Sequence, residues 1–441
     1  MSRMWSQLGA AFPSAAAVRA AYGDRRLLAV LLMGFSSGLP LPLTFGTLSF
    51  WMAEVGVSRT SIGLFALVGT AYNLKFLWAP IIDRVPLPML TAALGRRRSW
   101  ALVIQLLLAV AILALGLSDP RENLVGMALA AVAVAFLSAS QDIVIDAFRI
   151  EMLSPEQQGA GAAATQWGYR FGMIASSSGA LFLAAGFDWP VAFATMAVLM
   201  GVGMATVWLT AEPAVPAAPA PRRGVRGFFQ DAVIGPFADF TRRPLWLVIL
   251  LFVVFYKFGD ALANTMANIL YVELGFTRVE VATVSKFFGI WSTLAGVAVG
   301  GVVVGWLGYY RSLLLCGVLQ MLSNLSFVWL YYAGNDVGVL TVAVALENFC
   351  GGLGSAAFVA YLSSLCSVAF TATQYALLSS LAAVGRTTLS AGSGGLVDAL
   401  GWVPFFGISL AAALPGLILL VWLMRRLEPP PKQAAVLADA E

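Results

Sequence analysis

ALVIQLLLAVAILALGL, residues 101 to 117, is apolar on every side of a helix and carries one strongly polar side chain, Gln105. A helix on the surface of a soluble domain keeps a polar face, whereas one that is hydrophobic all round lies in a core or a membrane. Composition decides between these: 60% of the 441 residues are hydrophobic and 11% are charged, against about a quarter charged in soluble domains. That leaves no sizeable soluble domain and excludes an ordinary cytosolic enzyme. A β-barrel is excluded as well, because its strands would be segments of about 10 residues alternating in polarity. The 43 glycines fit a helical bundle, since small residues let lipid-embedded helices approach closely.

Working outward at about 20 apolar residues per crossing, the first half yields spans at 27–49, 61–82, 99–117, 124–149, 160–186 and 190–210. A Pro-rich and then Arg-rich stretch follows at 211–243, a polar linker composition. The second half yields 244–271, 281–304, 312–332, 338–366, 372–398 and 402–424. The expected fold is therefore an all-α membrane protein of twelve transmembrane helices. It has a lead-in at 1–26, six-helix bundles at 27–210 and 244–426, and a tail at 427–441. The lead-in has no uninterrupted apolar core or convincing cleavage site and is read as cytoplasmic, not as a signal peptide. Outer loops hold only Arg59, Arg121 and Arg278, while most other basic residues fall on the opposite side, so the positive-inside rule places both termini in the cytoplasm.

The halves resemble each other. EVGVSR, 54–59, recurs as ELGFTR, 273–278, and Arg170 is matched by Arg386, each preceded by a Gln at the helix start, Gln158 and Gln374. Such internal matches favour parallel repeats related by an axis along the membrane normal.

Ionisable residues within the spans cost about 2.5–3.5 kcal/mol each at the helix centre and so face the bundle interior or water. They are Lys75, Asp142, Asp146, Arg170, Lys257, Asp260, Lys286, Glu347 and Arg386. Ser138, Gln141, Asp142 and Asp146 recur at three- and four-residue steps, with Arg149 at the end, and make one face of the fourth span polar. Lys257, Asp260, Asn264 and Asn268 repeat the pattern in the seventh. Asp142 and Asp146, one turn apart, repel when both are ionised, which makes them candidate proton carriers together with Asp260 and Glu347. With no histidine in the chain, proton chemistry falls to carboxylates. The excess of cations among the buried charges favours an anionic solute, because guanidinium binds carboxylate or phosphate bidentately. Expected binding residues are Gln141, Gln166, Arg170, Lys75, Lys257, Asn264, Asn268, Lys286 and Arg386. Trp167, Tyr169, Trp291 and Tyr361 are candidates to stack on a sugar, against the alternative of packing. Cys316, Cys350 and Cys366 have no metal-site or disulfide spacing and read as packing residues. The chain carries no triad, phosphate loop or dinucleotide fingerprint, so no enzyme is expected.

WAPIIDR, 78–84, and LGRRRSW, 94–100, resemble the signature loop of the major facilitator superfamily. GFSSGLPLPLTFGTLSFWM from Gly34, LVGTAYNLKFLWAPIIDR from Leu67, SASQDIVIDAFRIEML from Ser138, GAGAAATQWGYRFGM from Gly159 and KFGD from Lys257 together resemble its AmpG muropeptide permeases. The resemblance implies spans one, four, seven and ten around a central cavity, and proton-coupled import of anhydromuropeptides by alternating access through the inner membrane. It carries over Gln141, Asp142, Asp146 and Arg170 as functional positions, and Asp83, Arg84 and Arg96 as a cytoplasmic gate. The implied partners are an anionic sugar-peptide and membrane lipids, with no nucleic acid, metal or cofactor besides the proton gradient, in a monomer. Another anionic or peptide-like solute, such as a coenzyme A thioester, and a non-transporting membrane sensor remain alternatives.

Overall fold

The computed structural model describes residues 23–214, 230, 234–389 and 392–427, and every regular element among them is a helix. In the first half these are α1 (Arg25–Glu54), α2 (short segments running from Arg59–Phe65 to Ala79–Arg84), α3 (Arg96–Gly116), α4 (Leu124–Met152), α5 (Gln158–Ile174, prolonged by a π turn at Ala175–Gly179 and by Ala180–Gly186) and α6 (Trp189–Leu209). The second half holds α7 (Trp246–Glu273), α8 (Val279–Leu307), α9 (Tyr309–Ala333), α10 (Val337–Ser364), α11 (Thr371–Leu389) and α12 (Trp402–Arg426).

Among the described residues, 9 helices are long and apolar enough to cross a membrane: all of these except α2, α5 and α11. The three exceptions have physical causes. α2 is cut by 3-10 turns at Ala66–Gly69 and Lys75–Leu77 and by Pro80, and α5 is loosened by its π turn and carries Gln158, Gln166 and Arg170. α11 carries Gln374 and Arg386 among several Thr and Ser side chains. Residues 1–22 of the expected lead-in, 428–441 of the expected tail and most of the expected linker lie outside the described residues. One linker piece, the helix Gly235–Thr241, is held to α11: the Gln374 amide donates to Asp239 Oδ2 (2.8 Å) and to the Pro236 carbonyl (3.1 Å).

The internal repeat reaches side-chain detail. Glu54 Oε2 accepts the indole N–H of Trp189 at 2.8 Å, and Glu273 Oε2 accepts that of Trp402 at 2.6 Å. Each pair pins the end of the first helix of a half to the start of its last. Gly56 and Gly275, two residues after each Glu, sit at φ 85° and 80°, a backbone conformation that costs glycine nothing.

Close packing builds each half. The Cβ of a side chain at Gly168 would lie 1.9 Å from the Leu31 carbonyl oxygen, and one at Gly34 would lie 2.5 Å from that of Thr165, so α1 and α5 meet backbone to backbone. Gly296 and Gly352 bring α8 and α10 together in the same way, against Phe349 and Thr293. Dispersion gathered over such close approaches is what holds helices together in lipid.

The halves meet unevenly. Call the end with Arg84, Arg97, Arg149 and Arg425 the basic end, and the end with the two Glu–Trp pairs the far end. At the far end, two apolar clusters form, one from Leu39 to Met200 and one from Leu262 to Phe406, and each is made of a single half's residues. At the basic end the clusters are shared: Ala372 and Ala376 of α11 pack with Leu27, Ile82 and Phe148, and Ala162 of α5 packs with Val304, Leu353 and Tyr361. Among the described residues, the packing shared by the two halves lies at the basic end and along α5, and the far-end clusters are each confined to one half.

Candidate functional site

Midway along α4, Asp142 accepts a hydrogen bond from Ser37 of α1. Asp146, one turn on, lies 3.6 Å from the Arg149 guanidinium. Lys75 of α2 is buried within electrostatic reach of both carboxylates. Lys75, Asp142 and Asp146, all expected from the sequence, thus form one cluster. Gln141 does not join it on the open side. Its side chain is fully buried, with its amide 3.5 Å from the Ser36 hydroxyl, which also takes a hydrogen bond from Gln105.

The second half has a matching cluster. The Asn264 amide donates to Glu347 Oε1 at 2.7 Å and to Asp260 Oδ1 at 3.2 Å, so two carboxylates converge on one amide. Lys257 sits 3.8 Å from Asp260 and donates to Gln320 Oε1 (3.1 Å) and to the Gly351 carbonyl (3.3 Å). Asn268 is exposed one turn beyond Asn264. The side chains of Lys286 and Arg386 lie outside the described residues.

Between the clusters stands α5. Ala163 packs on Val297 of α8 and Ala356 of α10, and Trp167 donates from its indole to the Leu294 carbonyl at 3.0 Å. Gln166 and Arg170, one turn apart, lie beside and just beyond this contact, towards the separated end, on the face turned away from α1. Neither the Gln166 amide nitrogen nor the half-buried Arg170 guanidinium has a hydrogen-bond or ion-pair partner among the described residues. Donors left unspent in a partly desolvated place cost free energy that an acceptor ligand recovers.

The aromatic candidates divide. Tyr361 is fully buried, edge-on to Phe252 (5.4 Å between centroids) and tilted against Tyr310. It is a packing residue and offers no face to a sugar. Trp167 is a link between halves, and Trp291 is exposed. The cysteines are unpaired, with Cys316 and Cys350 buried.

At the basic end, Asp83 is buried and accepts from Arg97 Nη2 at 2.8 Å on one oxygen. Its other oxygen accepts the backbone N–H (3.2 Å) and hydroxyl (3.0 Å) of Thr373, in the first turn of α11. A carboxylate there also meets the positive end of the helix dipole. Arg97 continues as a fork to Glu151 of α4 at 2.6 and 3.0 Å, and its backbone N–H is capped by Glu212 at 2.7 Å. Arg84 lies over the Phe370 ring, 4.5 Å from its centroid. Of the expected gate, Asp83 and Arg84 reach across to the second half. The Arg96 side chain is half-buried and its Nε has no partner, while the neighbouring Arg97 carries the network. The run Arg96–Arg98 gave no sign of which guanidinium would turn inward. Glu151 and Thr373 are not singled out by the sequence, because their partners Arg97 and Asp83 lie 54 and 290 residues away.

Among the described residues no group of three or more Cys, Asp or Glu is placed to hold a metal. A model of the Major Facilitator Superfamily matches residues 26–385. The anhydromuropeptide permease of Escherichia coli (strain K12) is 43% identical over 402 residues, 90% of this chain and 80% of that protein. A putative transporter, AmpG 4, of Rickettsia felis is 34% identical over 407 residues, 92% of this chain and 98% of that one. Among solved structures, the human organic anion transporter MFSD10 superposes with a TM-score of 0.67 at 16% identity, covering 92% of this chain and 100% of its own. The transporter FucP in its outward conformation gives 0.67 at 12% identity, covering 91% and 99%. These two structures establish the shared fold.

Proposed function

We propose, from the premise that this chain belongs to the Major Facilitator Superfamily and to the anhydromuropeptide permeases within it, that it is a proton-coupled transporter importing anhydromuropeptides by alternating access. The positive-inside rule makes the basic end cytoplasmic, so the state described is closed to the cytoplasm and separated on the periplasmic side of the inner membrane. Twelve spans in a monomer, with the proton gradient as its energy source, complete the reading.

One observation supports it most: on α5, beside its contact with α8 and α10, Gln166 keeps a buried amide nitrogen without a partner and half-buried Arg170 has no hydrogen-bond or ion-pair partner among the described residues. A substrate with carboxylates on a sugar-peptide supplies the missing acceptors. The carboxylate clusters at Asp142 and Asp146 and at Asp260 and Glu347 flank that position on either half and are the expected proton sites. Asp83, Arg84 and Arg97 hold the cytoplasmic end shut, in agreement with rigid-body rocking about a midplane site.

Arg170→Ala is expected to lower uptake of labelled anhydromuropeptide at least tenfold. Removing a cation from a desolvated charge pair typically costs about 2–5 kcal/mol, and about 1.4 kcal/mol is a factor of ten. Arg170→Lys is expected to rescue little, because a point charge does not reproduce the bidentate fork. Uptake by the purified chain in the presence of excess unlabelled competitor checks the substrate. Anhydromuropeptide should block it and a coenzyme A thioester should not. Inhibition by the thioester alone, or full activity of Arg170→Ala, overturns this assignment.

A further inference from the structure

Arg149 stands outside both the substrate position and the Asp83 network, yet it is among the most deeply buried large side chains in the molecule. It sits at the basic end of α4 and touches four elements. Nη2 lies 3.6 Å from Asp146 on its own helix and donates to Ser363 Oγ of α10 at 3.1 Å. Nη1 donates to Gln158 Oε1 of α5 at 3.4 Å, and the guanidinium lies 5.5 Å from the ring centroid of Tyr375 in α11. Its Nε has no partner. This cation therefore joins α4 and α5 of one half to α10 and α11 of the other.

Asp146 is the carboxylate within ion-pair distance of Arg149 among the described residues, and Asp83 and Glu151 at the same end are taken by Arg97. The exposures differ in a telling way: Asp146 keeps 18% of its side chain accessible, and Arg149 keeps 0%. A proton from solvent can reach the acid while the cation stays dry. The charged and titratable groups facing Asp146 are Lys75 from α2, Asp142 and Arg149 from α4, Tyr169 from α5, Cys366 after α10 and Tyr375 from α11.

We infer that Arg149 is a positioning residue that converts protonation of Asp146 into opening of the basic end. The reading rests on the transporter assignment above. A proton added to the Asp146 carboxylate leaves Arg149 as a buried cation without its counter-charge, an arrangement that penalises the closed end because an uncompensated buried charge is costly. Separation of the halves at Ser363 and Tyr375 lets water reach the guanidinium and removes that penalty. The proton thus favours the state open at the basic end, and loss of the proton there restores the ion pair and favours reclosure. The sign is that required of a proton entering from the far end together with a solute.

The test uses substrate-free protein, so that its outcome is independent of what the solute is. Spin labels at Glu156→Cys and Arg311→Cys, exposed positions on the two halves at the basic end, in a background lacking Cys316, Cys350 and Cys366, report the separation in lipid nanodiscs. Asp146→Asn, which mimics the protonated acid, is expected to raise the ratio of separated to closed distances at least about tenfold, or about 1.4 kcal/mol. Adding Asp146→Asn to Arg149→Gln should change the ratio less than about twofold relative to Arg149→Gln alone, since no buried cation remains to be stranded. Arg149→Lys should keep the response. Should Arg149→Gln not fold, the pH titration decides. The labelled parent should shift towards separation as pH falls, and Asp146→Asn should be flat. A distance distribution unmoved by Asp146→Asn, or an equal shift with and without Arg149, overturns the inference. Loss of anhydromuropeptide uptake with this coupling intact would count against the substrate assignment alone.

Discussion

Arg97→Ala is expected to destabilise the folded protein by about 3–5 kcal/mol and to leave the basic end ajar. The magnitude follows from what the substitution abandons. Asp83 and Glu151 are almost wholly buried, at 1% and 2% exposure, and both are compensated by the same guanidinium. Breaking a buried pair by deleting one partner costs about that much, whereas removing the whole set can be nearly neutral. The triple change Arg97→Met, Asp83→Asn, Glu151→Gln should therefore recover most of the lost stability. Asp83→Asn also weakens the bonds to Thr373, so recovery of stability without recovery of transport would separate the structural part of this network from its gating part. Thermal unfolding in detergent reads the first, and label separation at the basic end reads the second. An Arg97→Ala protein that melts like the parent would remove Arg97 from the centre of the closure.

Gly168→Val is expected to be the most damaging single apolar substitution, costing more than about 3 kcal/mol, beyond the ordinary 1–3 kcal/mol of overpacking. The reason is geometric. A Cβ at this position would lie 1.9 Å from the Leu31 carbonyl oxygen and 2.7 Å from the Phe35 nitrogen. Both are main-chain atoms of a helix, which cannot swing aside as a side chain can. Relief requires α1 to leave α5, and that carries Ser37 away from Asp142. Gly201→Ala in α6 is the control, since a Cβ there meets nothing within 4 Å. It should leave melting temperature and uptake as they are. Normal folding of Gly168→Val would contradict the packing described for α1 and α5.

The membrane character and helical class were legible because they depend on composition and on single stretches such as residues 101–117, in which no face is polar. The repeat was legible at Glu54 and Glu273, but their indole partners were not, since Trp189 and Trp402 are 135 and 129 residues away. The same limit hid the basic end. Asp83 stands out in WAPIIDR, whereas Thr373, which donates to its second oxygen from 290 residues on, is an unremarked threonine. Helical spacing placed Gln141 on the polar stripe with Asp142. It could not show that a one-residue turn of the helix puts Gln141 against Ser36 in a dry interface and Asp142 beside Lys75. The unequal joining of the halves was invisible in principle, because both open and closed forms share one sequence and differ only in which faces of the two bundles touch.

Accumulation of labelled anhydromuropeptide by proteoliposomes, measured before and after a cross-link across the basic end, tests alternating access most directly. Pro155→Cys and Tyr309→Cys suit the cross-link, because the Tyr309 hydroxyl donates to the Pro155 carbonyl at 3.1 Å between the halves. With the interior alkaline, the account predicts uphill accumulation that a protonophore abolishes, that a reducible bifunctional cross-linker stops, and that reduction restores. Saturable binding without accumulation, or accumulation that continues with the basic end tied shut, would contradict it.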